Sequence, residues 1–109
     1  MKTTDVVVVR IYLTEATSHL EHLLKFLHDE SKVCGVTVFR GITGFGKSGR
    51  VHSSFLLDVS LDLPVVVEFF DRPAKVEEIL KRLDTMMEPG HVLSWPARVN
   101  VSDNQTSQD

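Results

Sequence analysis

The residues best suited to chemistry lie in a glycine-rich stretch, Gly41 to Ser54, which holds four glycines and no acidic residue. Successive glycine amides can form a concavity that binds an anion. Arg40, Lys47, Arg50 and His52 surround these glycines with positive charge. In a chain of net charge −3, such a local excess of cations would attract a phosphate-bearing ligand or an acidic protein surface. The alternative is a solvated hairpin whose glycines serve flexibility alone.

Two nucleotide-binding motifs are spelled in this stretch, and both lack their structural context. Gly41 to Ser48 reads G-x-x-x-x-G-K-S, and Gly44 to Gly49 reads G-x-G-x-x-G. Each motif needs a helix that begins directly after it and points its dipole at the phosphates. Gly49 to His52 shows no helical periodicity, and a strand-like pattern follows. We interpret both matches as coincidences of a glycine-rich loop.

Other candidate catalytic and metal-binding groups are isolated. His19 and His22 lie three residues apart on a predicted helix but lack a third ligand at a suitable spacing. Cys34 is the only cysteine, which favours a reducing, cytoplasmic setting, and we interpret it as a small packing residue. No nucleophile has an identifiable activating partner, so we expect no enzymatic activity. The enzyme alternative would act on a phosphorylated substrate through Lys47 and His52.

Length and composition describe one ordinary folded domain. The chain has 109 residues, of which 42% are hydrophobic and 25% charged. The negative net charge argues against nucleic acid as a partner, and no apolar run approaches the roughly 20 residues that cross a bilayer. We expect a single domain over residues 1–101, a flexible loop at about 41–55 and a disordered polar tail over 102–109.

Hydrophobic patterns predict four strands and two helices in the order β-α-β-loop-β-α-β. The strands are predicted at Val6–Leu13, Val36–Arg40, Leu63–Phe70 and His91–Val101, the last interrupted near Pro96. This order consists of two βαβ halves. It is typical of an α+β, ferredoxin-like sandwich, in which two helices cover one face of a four-stranded antiparallel sheet.

Capping signals predict where the two helices begin and end. The first helix begins at a capping box, Ser18 to Glu21, and ends at Gly35, which can adopt a positive φ. The second begins at Asp71 to Pro73, with an acceptor cap and a proline in its first turn. Two i,i+4 ion pairs are expected on its wet side: Glu77 with Lys81 and Glu78 with Arg82.

The strands carry more apolar surface than one subunit can cover. Val6–Val9 and Val65–Val67 do not alternate with polar residues, although a sheet that is wet on one face should alternate. The chain has no third helix, so we expect another subunit to cover the bare face. Glu68 interrupts this surface. It is expected either to pair with Arg10 or Arg40, or to lie at a solvated strand edge.

Four segments together resemble the family called domain of unknown function 190. They are Arg10–Glu15, Arg40–Gly46, Gly49–His52 and Leu63–Glu68. The match runs from about Val6 to Val101, nearly the whole chain. That family is similar to the PII signalling superfamily. The resemblance therefore implies a homotrimer of ferredoxin-like subunits, with ligand clefts between them and loops that dock on a target protein.

The resemblance also implies a role for the glycine-rich stretch. Gly44 to Gly46 looks like the opening of the PII T-loop, so these residues would approach the ligand while Lys47 to His52 form the responsive loop. In PII the ligand is usually an adenine nucleotide. A second loop of PII, rich in glycine and lysine, corresponds here to Glu88–Pro96, which has one glycine and no lysine. Another small anion is therefore the alternative ligand.

The resulting hypothesis is a PII-like regulatory protein that binds a small anionic effector at subunit clefts and controls a partner. Relatives are often encoded beside a fluoride-channel protein, which implies a membrane transporter or channel as the target; an enzyme is the other candidate. The alternative function is a constitutive trimeric scaffold without an effector. The expected ligand-binding residues are Arg40, Gly41, Gly44, Phe45, Gly46, Lys47, Ser48, Gly49, Arg50, His52 and Arg98.

Overall fold

The computed structural model describes residues 1–14, 19–45, 51–53 and 63–103 of the chain. Its elements are β1 (Thr3–Thr14), α1 (His19–Lys25) with a π-helical turn (Phe26–Glu30), β2 (Thr37–Arg40), β3 (Thr43–Phe45), β4 (Val51–Ser53), β5 (Pro64–Asp71), α2 (Pro73–Leu83) and β6 (Val92–Asn100). The predicted order of four main strands and two helices is confirmed, and β3 and β4 lie inside the predicted loop.

The four main strands form one antiparallel sheet in the order β2-β5-β1-β6. Strands β3 and β4 form a separate two-stranded hairpin. The two central strands, β1 and β5, are the most apolar, because each has a neighbouring strand on both sides. This topology confirms the ferredoxin-like α+β fold.

The core lies between the helices and one face of the sheet. Alternate residues of the central strands supply it, including Val9, Ile11, Val65 and Val67, all at most 1% exposed. The helices add the buried side chains Leu23, Phe26, Leu27, Val76, Ile79 and Leu83. Burial of each such side chain contributes about 1.5–3 kcal/mol of transfer free energy, which holds the helices against this face of the sheet.

The first helix ends earlier than predicted. The Ser31 N–H donates to the Phe26 carbonyl (2.9 Å), which closes the π-helical turn, and the Val33 N–H donates to the Leu27 carbonyl (3.2 Å). This second bond joins residues six positions apart, and Lys32, just before Val33, takes the left-handed conformation with φ of 54°. The prediction that Gly35 ends the helix was wrong, and the predicted capping residue Ser18 lies outside the described residues.

The early end of the helix also changes the environment of Cys34. Because the helix stops at Glu30, Cys34 lies in the connection to β2, where it is exposed. The interpretation of Cys34 as a packing residue was therefore wrong.

The second helix begins as predicted, but its cap differs. Pro73 is in its first turn, and Arg72 is the N-cap without a side-chain capping bond. Asp71 instead ends β5, and its Oδ1 accepts from the Arg72 N–H (2.8 Å). Its buried Oδ2 lies 3.1 Å from Lys75 Nζ, a contact that has ion-pair distance without hydrogen-bond geometry. Asp71 therefore links the end of β5 to the first turn of α2 and does not act as the N-cap of α2.

The ion pairs of α2 differ from the predicted i,i+4 set. Glu78 pairs with Lys81 at i,i+3 (3.2 Å), and Arg82 reaches across to Glu30 on the π-helical turn (3.1 Å). Arg82 also lies over the Phe26 ring, 5.0 Å from its centroid, so both of these contacts join α2 to the π-helical turn.

The last strand is continuous through Pro96, so the predicted interruption was wrong. Pro96 lies within β6, opposite Val7 of β1. Because β6 is at the edge of the sheet, a residue without an N–H can be accommodated there. Pro64, at the first position of β5, follows the prediction.

Candidate functional site

The face of the sheet opposite the helices, here called the open face, carries several large apolar side chains. Its four large exposed side chains are Tyr12, Phe39, Phe70 and Leu93, between 42% and 50% exposed. The strand register aligns them in rows: Phe39, Val66 and Tyr12 form one row across the sheet, and Phe70, Val8 and Trp95 form another. Among the described residues, the uncovered apolar face expected from the valine runs is therefore present.

An ion pair lies between these two rows. Arg10 donates from both Nε (2.9 Å) and Nη2 (2.6 Å) to Glu68 Oε1, directly across β1 and β5. The guanidinium also lies 5.3 Å from the centroid of the Trp95 ring. The hydrogen bond from Arg10 to Glu68 raises the pKa of Arg10 above its usual value. Glu68 thus pairs with Arg10, and it lies on a central strand rather than at a solvated edge.

The glycine-rich stretch begins at a tight contact with β5, here called the hairpin base. The Gly41 N–H donates to the Pro64 carbonyl at 2.7 Å. A Cβ added at Gly41 would lie 2.7 Å from Pro64 Cγ, and one at Gly44 would lie 3.3 Å from it. Close packing on the Pro64 ring therefore explains why Gly41 and Gly44 are glycines. The sequence alone did not indicate this reason.

The hairpin continues from this base as β3 and β4. Thr43 pairs with Ser53, Gly44 with His52 and Phe45 with Val51. A strand therefore begins at Val51, where a phosphate-binding motif would require a helix, which supports the rejection of both motifs. Phe45 is 75% exposed. Of the expected ligand-binding residues, Gly46, Lys47, Ser48, Gly49, Arg50 and the side chain of His52 lie outside the described residues.

The structure places the two remaining cations of the expected site far apart. Arg40 is the last residue of β2, at one edge of the sheet, and Arg98 lies on β6, at the other edge. Arg40 aligns through Val65 with the Leu13 end of β1, whereas Arg98 aligns with Asp5. Standard strand and residue spacings put these corners about 30 Å apart. One subunit does not bring Arg40 and Arg98 together.

His91 is a candidate that the sequence reasoning missed. It follows Gly90 (φ 89°) in the turn between α2 and β6, at the same end of the sheet as the hairpin base. The Tyr12 N–H donates to the His91 carbonyl (3.0 Å), and His91 Nδ1 donates to the Tyr12 carbonyl (3.1 Å). Since a carbonyl only accepts, Nδ1 carries the proton in this contact, and Nε2 is an acceptor when the ring is neutral. The turn signal Pro89-Gly90 could have located it.

A shallow groove of about 300 Å³ lies between the π-helical turn and α2, lined in part by Phe26, Ile79, Lys75 and Arg82. Its cations are already engaged: Arg82 pairs with Glu30, and Lys75 donates to the Lys32 carbonyl (2.8 Å). The groove is therefore a joint between helices rather than a candidate binding site.

Across the described parts of the chain, no three histidine, cysteine, aspartate or glutamate side chains are close enough to hold a metal ion. Likewise, the helices described here are all too short or too polar to span a bilayer.

The sheet order, the two helices on one face and the hairpin inserted before β5 define a PII-like fold, and solved structures agree. CPII, a nitrogen regulatory PII-like protein from Thiomonas intermedia K12 solved with ADP, AMP and bicarbonate, is 20% identical, with a TM-score of 0.69 over 92% of this chain and 91% of that one. A PII-like signalling protein from Thermus thermophilus is 20% identical, with a TM-score of 0.59 over 91% of both chains.

Sequence comparison identifies the family. The model of the DUF190 family, described as "Uncharacterized ACR", matches residues 6–99, so the chain belongs to that family. A UPF0166 protein of Aquifex aeolicus is 33% identical over 79 residues, 69% of this chain and 75% of that protein. A UPF0166 protein of Methanocaldococcus jannaschii is 31% identical over 81 residues, 70% of this chain and 73% of that protein. The suspected family is confirmed.

Proposed function

We propose that this protein is a non-catalytic regulator that forms a homotrimer through its open face. It binds a small anionic effector between subunits and controls a partner protein through the segment 41–55. An adenine nucleotide or another small anion is the effector class, because the similarly folded CPII was solved with ADP, AMP and bicarbonate. The partner is a transporter, a channel or an enzyme, met in the cytoplasm.

The observation that carries this proposal is the hairpin base. Gly41 is hydrogen-bonded to the Pro64 carbonyl and packed against the proline ring, so the glycine-rich segment starts from a fixed point on a central strand. A ligand bound beside this point contacts the sheet and the segment at once. Its binding energy can therefore select one arrangement of the segment, which is the requirement for a ligand-controlled docking element.

The open face supports the assembly. Each of its four half-exposed large side chains leaves roughly 100 Å² in contact with water, or about 400 Å² together, which is near the largest apolar patch of a typical monomer. The charges on this face neutralise each other, because Arg10 and Glu68 are paired. A second copy of the same face is therefore a better cover than a charged partner.

Assembly also brings the expected ligand-binding cations together. Because about 30 Å separates the corners of Arg40 and Arg98 within one sheet, both can contact one small anion only if they come from different subunits. We infer a cleft formed by the hairpin base and His91 of one subunit and by Arg98 of its neighbour.

Limited proteolysis with and without ligands tests the effector. ADP, AMP, ATP and bicarbonate are added separately, and cleavage between Gly41 and Phe55 is followed together with thermal unfolding. A true effector slows cleavage, and at 100 times its dissociation constant it stabilises the protein by about 2.7 kcal/mol. Arg98→Ala should weaken the response, whereas Lys81→Ala on the outer side of α2 should not. An unchanged cleavage pattern with all four ligands contradicts the proposal.

The packing of Gly41 and Gly44 on Pro64 favours a second candidate, a constitutive scaffold, because it explains both glycines without any ligand. A scaffold would retain its partner at every ligand concentration, and an Arg40→Ala/Arg50→Ala variant would lose it. A regulator would release or bind its partner as the ligand is titrated. Pull-down of the partner across a nucleotide titration separates the two.

A further inference from the structure

We propose that the Arg10–Glu68 pair sets the register in which copies of this chain pack through the open face. This inference rests on the proposed assembly and adds the residues that select one arrangement. The pair lies on the two central strands, between the apolar row of Phe39 and Tyr12 and the apolar row of Phe70.

The apolar rows alone do not define one arrangement. Burial of apolar surface is non-directional and depends mainly on the area removed from water. Two faces that each present similar rows of large apolar side chains can therefore slide or rotate against each other with little change in free energy. A polar group at the centre of such a face is the usual means of removing this degeneracy, as a buried asparagine does in coiled coils.

The charged pair penalises incorrect arrangements. When the face is covered, the guanidinium and the carboxylate lose the water that they now contact, since their side chains are 38% and 28% exposed. A register that covers them with apolar side chains recovers none of that hydration. In a closed symmetric assembly, the same pair of each copy meets its equivalents around the axis, so that Arg10 of one copy can face Glu68 of the next.

The contacts of the pair also fix which strand carries its positive end and which its negative end. Both described hydrogen bonds from Arg10 end on Oε1 of Glu68, and the Trp95 ring lies against the guanidinium. These contacts hold the positive end over β1 and the negative end over β5. For the isolated subunit alone, a pair this exposed to water adds little stability. Its position in the middle of an apolar face is better explained by what it does to association.

A reversed pair tests this inference. In the Arg10→Glu/Glu68→Arg variant the pair is kept but its direction is inverted. We expect the variant to assemble with itself, and to form mixed assemblies with the isotope-labelled natural chain at less than about one tenth of the statistical amount, measured by native mass spectrometry after mixing. The matched control reverses the exposed pair on α2, Glu78→Lys/Lys81→Glu, and should mix statistically.

A neutral variant covers the case in which the reversed pair does not fold. Arg10→Met/Glu68→Leu removes the charges while retaining most of their volume, and we expect it to give more than one oligomeric mass where the natural chain gives one. Statistical mixing of the reversed variant, or a single unchanged mass for the neutral variant, overturns the inference. A monomeric natural chain at micromolar concentration would overturn the proposed assembly itself, a result distinct from both.

Discussion

The two faces of the main sheet have similar composition but opposite exposure. On the helix side, Val9 and Val67 are fully buried, whereas on the open face Phe70 and Leu93 are about half exposed. Both faces are lined by large apolar side chains, many of them from the same central strands. The difference shows that the strand sequences specify two apolar covers, of which the described elements of one chain supply only the helical one. The open face is therefore the part of the sheet that the described elements of one chain leave uncovered.

The largest effect is expected on the helix side. Leu27, on the π-helical turn, is fully buried in the core between the helices and the sheet, so Leu27→Ala removes its packing and leaves a cavity. We expect a loss of about 2–5 kcal/mol in the free energy of unfolding. Chemical denaturation of the variant and the natural chain measures it. A loss below about 1 kcal/mol would show that packing on the helix side is not what stabilises the subunit.

A pair of neighbouring substitutions separates the two faces directly. Phe39 and Val38 are similarly exposed, at 50% and 42%, but alternation along β2 puts Phe39 on the open face and Val38 on the other. We expect Phe39→Ser to weaken association about 30-fold, which corresponds to about 2 kcal/mol for a large aromatic side chain buried in an interface. Val38→Ser should leave association unchanged. Sedimentation at several concentrations measures both, and equal effects would contradict the assignment of faces.

A smaller effect is expected at the hairpin base, where Gly41 packs against Pro64 of the same chain. Gly41→Ala places a Cβ 2.7 Å from Pro64 Cγ, so we expect a loss of about 1–2 kcal/mol in the free energy of unfolding. Gly35→Ala is the matched control, because no atom lies within 4 Å of its added Cβ and its φ is not in the left-handed region. Thermal unfolding compares them. Equal stability of the two variants would mean that the hairpin base is not packed as described.

Most of the fold could be predicted because its signals are local. The valine runs, the proline at Pro64 and the Pro73 start each constrain the backbone at their own position. The exceptions depend on contacts between distant residues. No local signal shows that a π-helical turn ends the first helix before Lys32, or that β6 lies at an edge and accepts Pro96. The candidate site was predicted only in part, since the separation of Arg40 from Arg98 follows from strand order, which the motifs do not encode.

The smallest effect is expected in the coupling free energies of two ion pairs, one on the helix side of the sheet and one on the open face. Arg82 and Glu30 are both 59% exposed on the helix side, so a double-mutant cycle on their pair should give about 0.2–1 kcal/mol. That coupling should fade between about 0.1 M and about 1 M salt, as the screening length falls from roughly 10 Å to roughly 3 Å. The Arg10–Glu68 pair should behave differently if assembly covers it, because salt ions cannot enter a closed interface. Its coupling, measured in the association equilibrium, should persist at high salt. A coupling that fades as fast as that of Arg82 and Glu30 would mean that the open face stays in water.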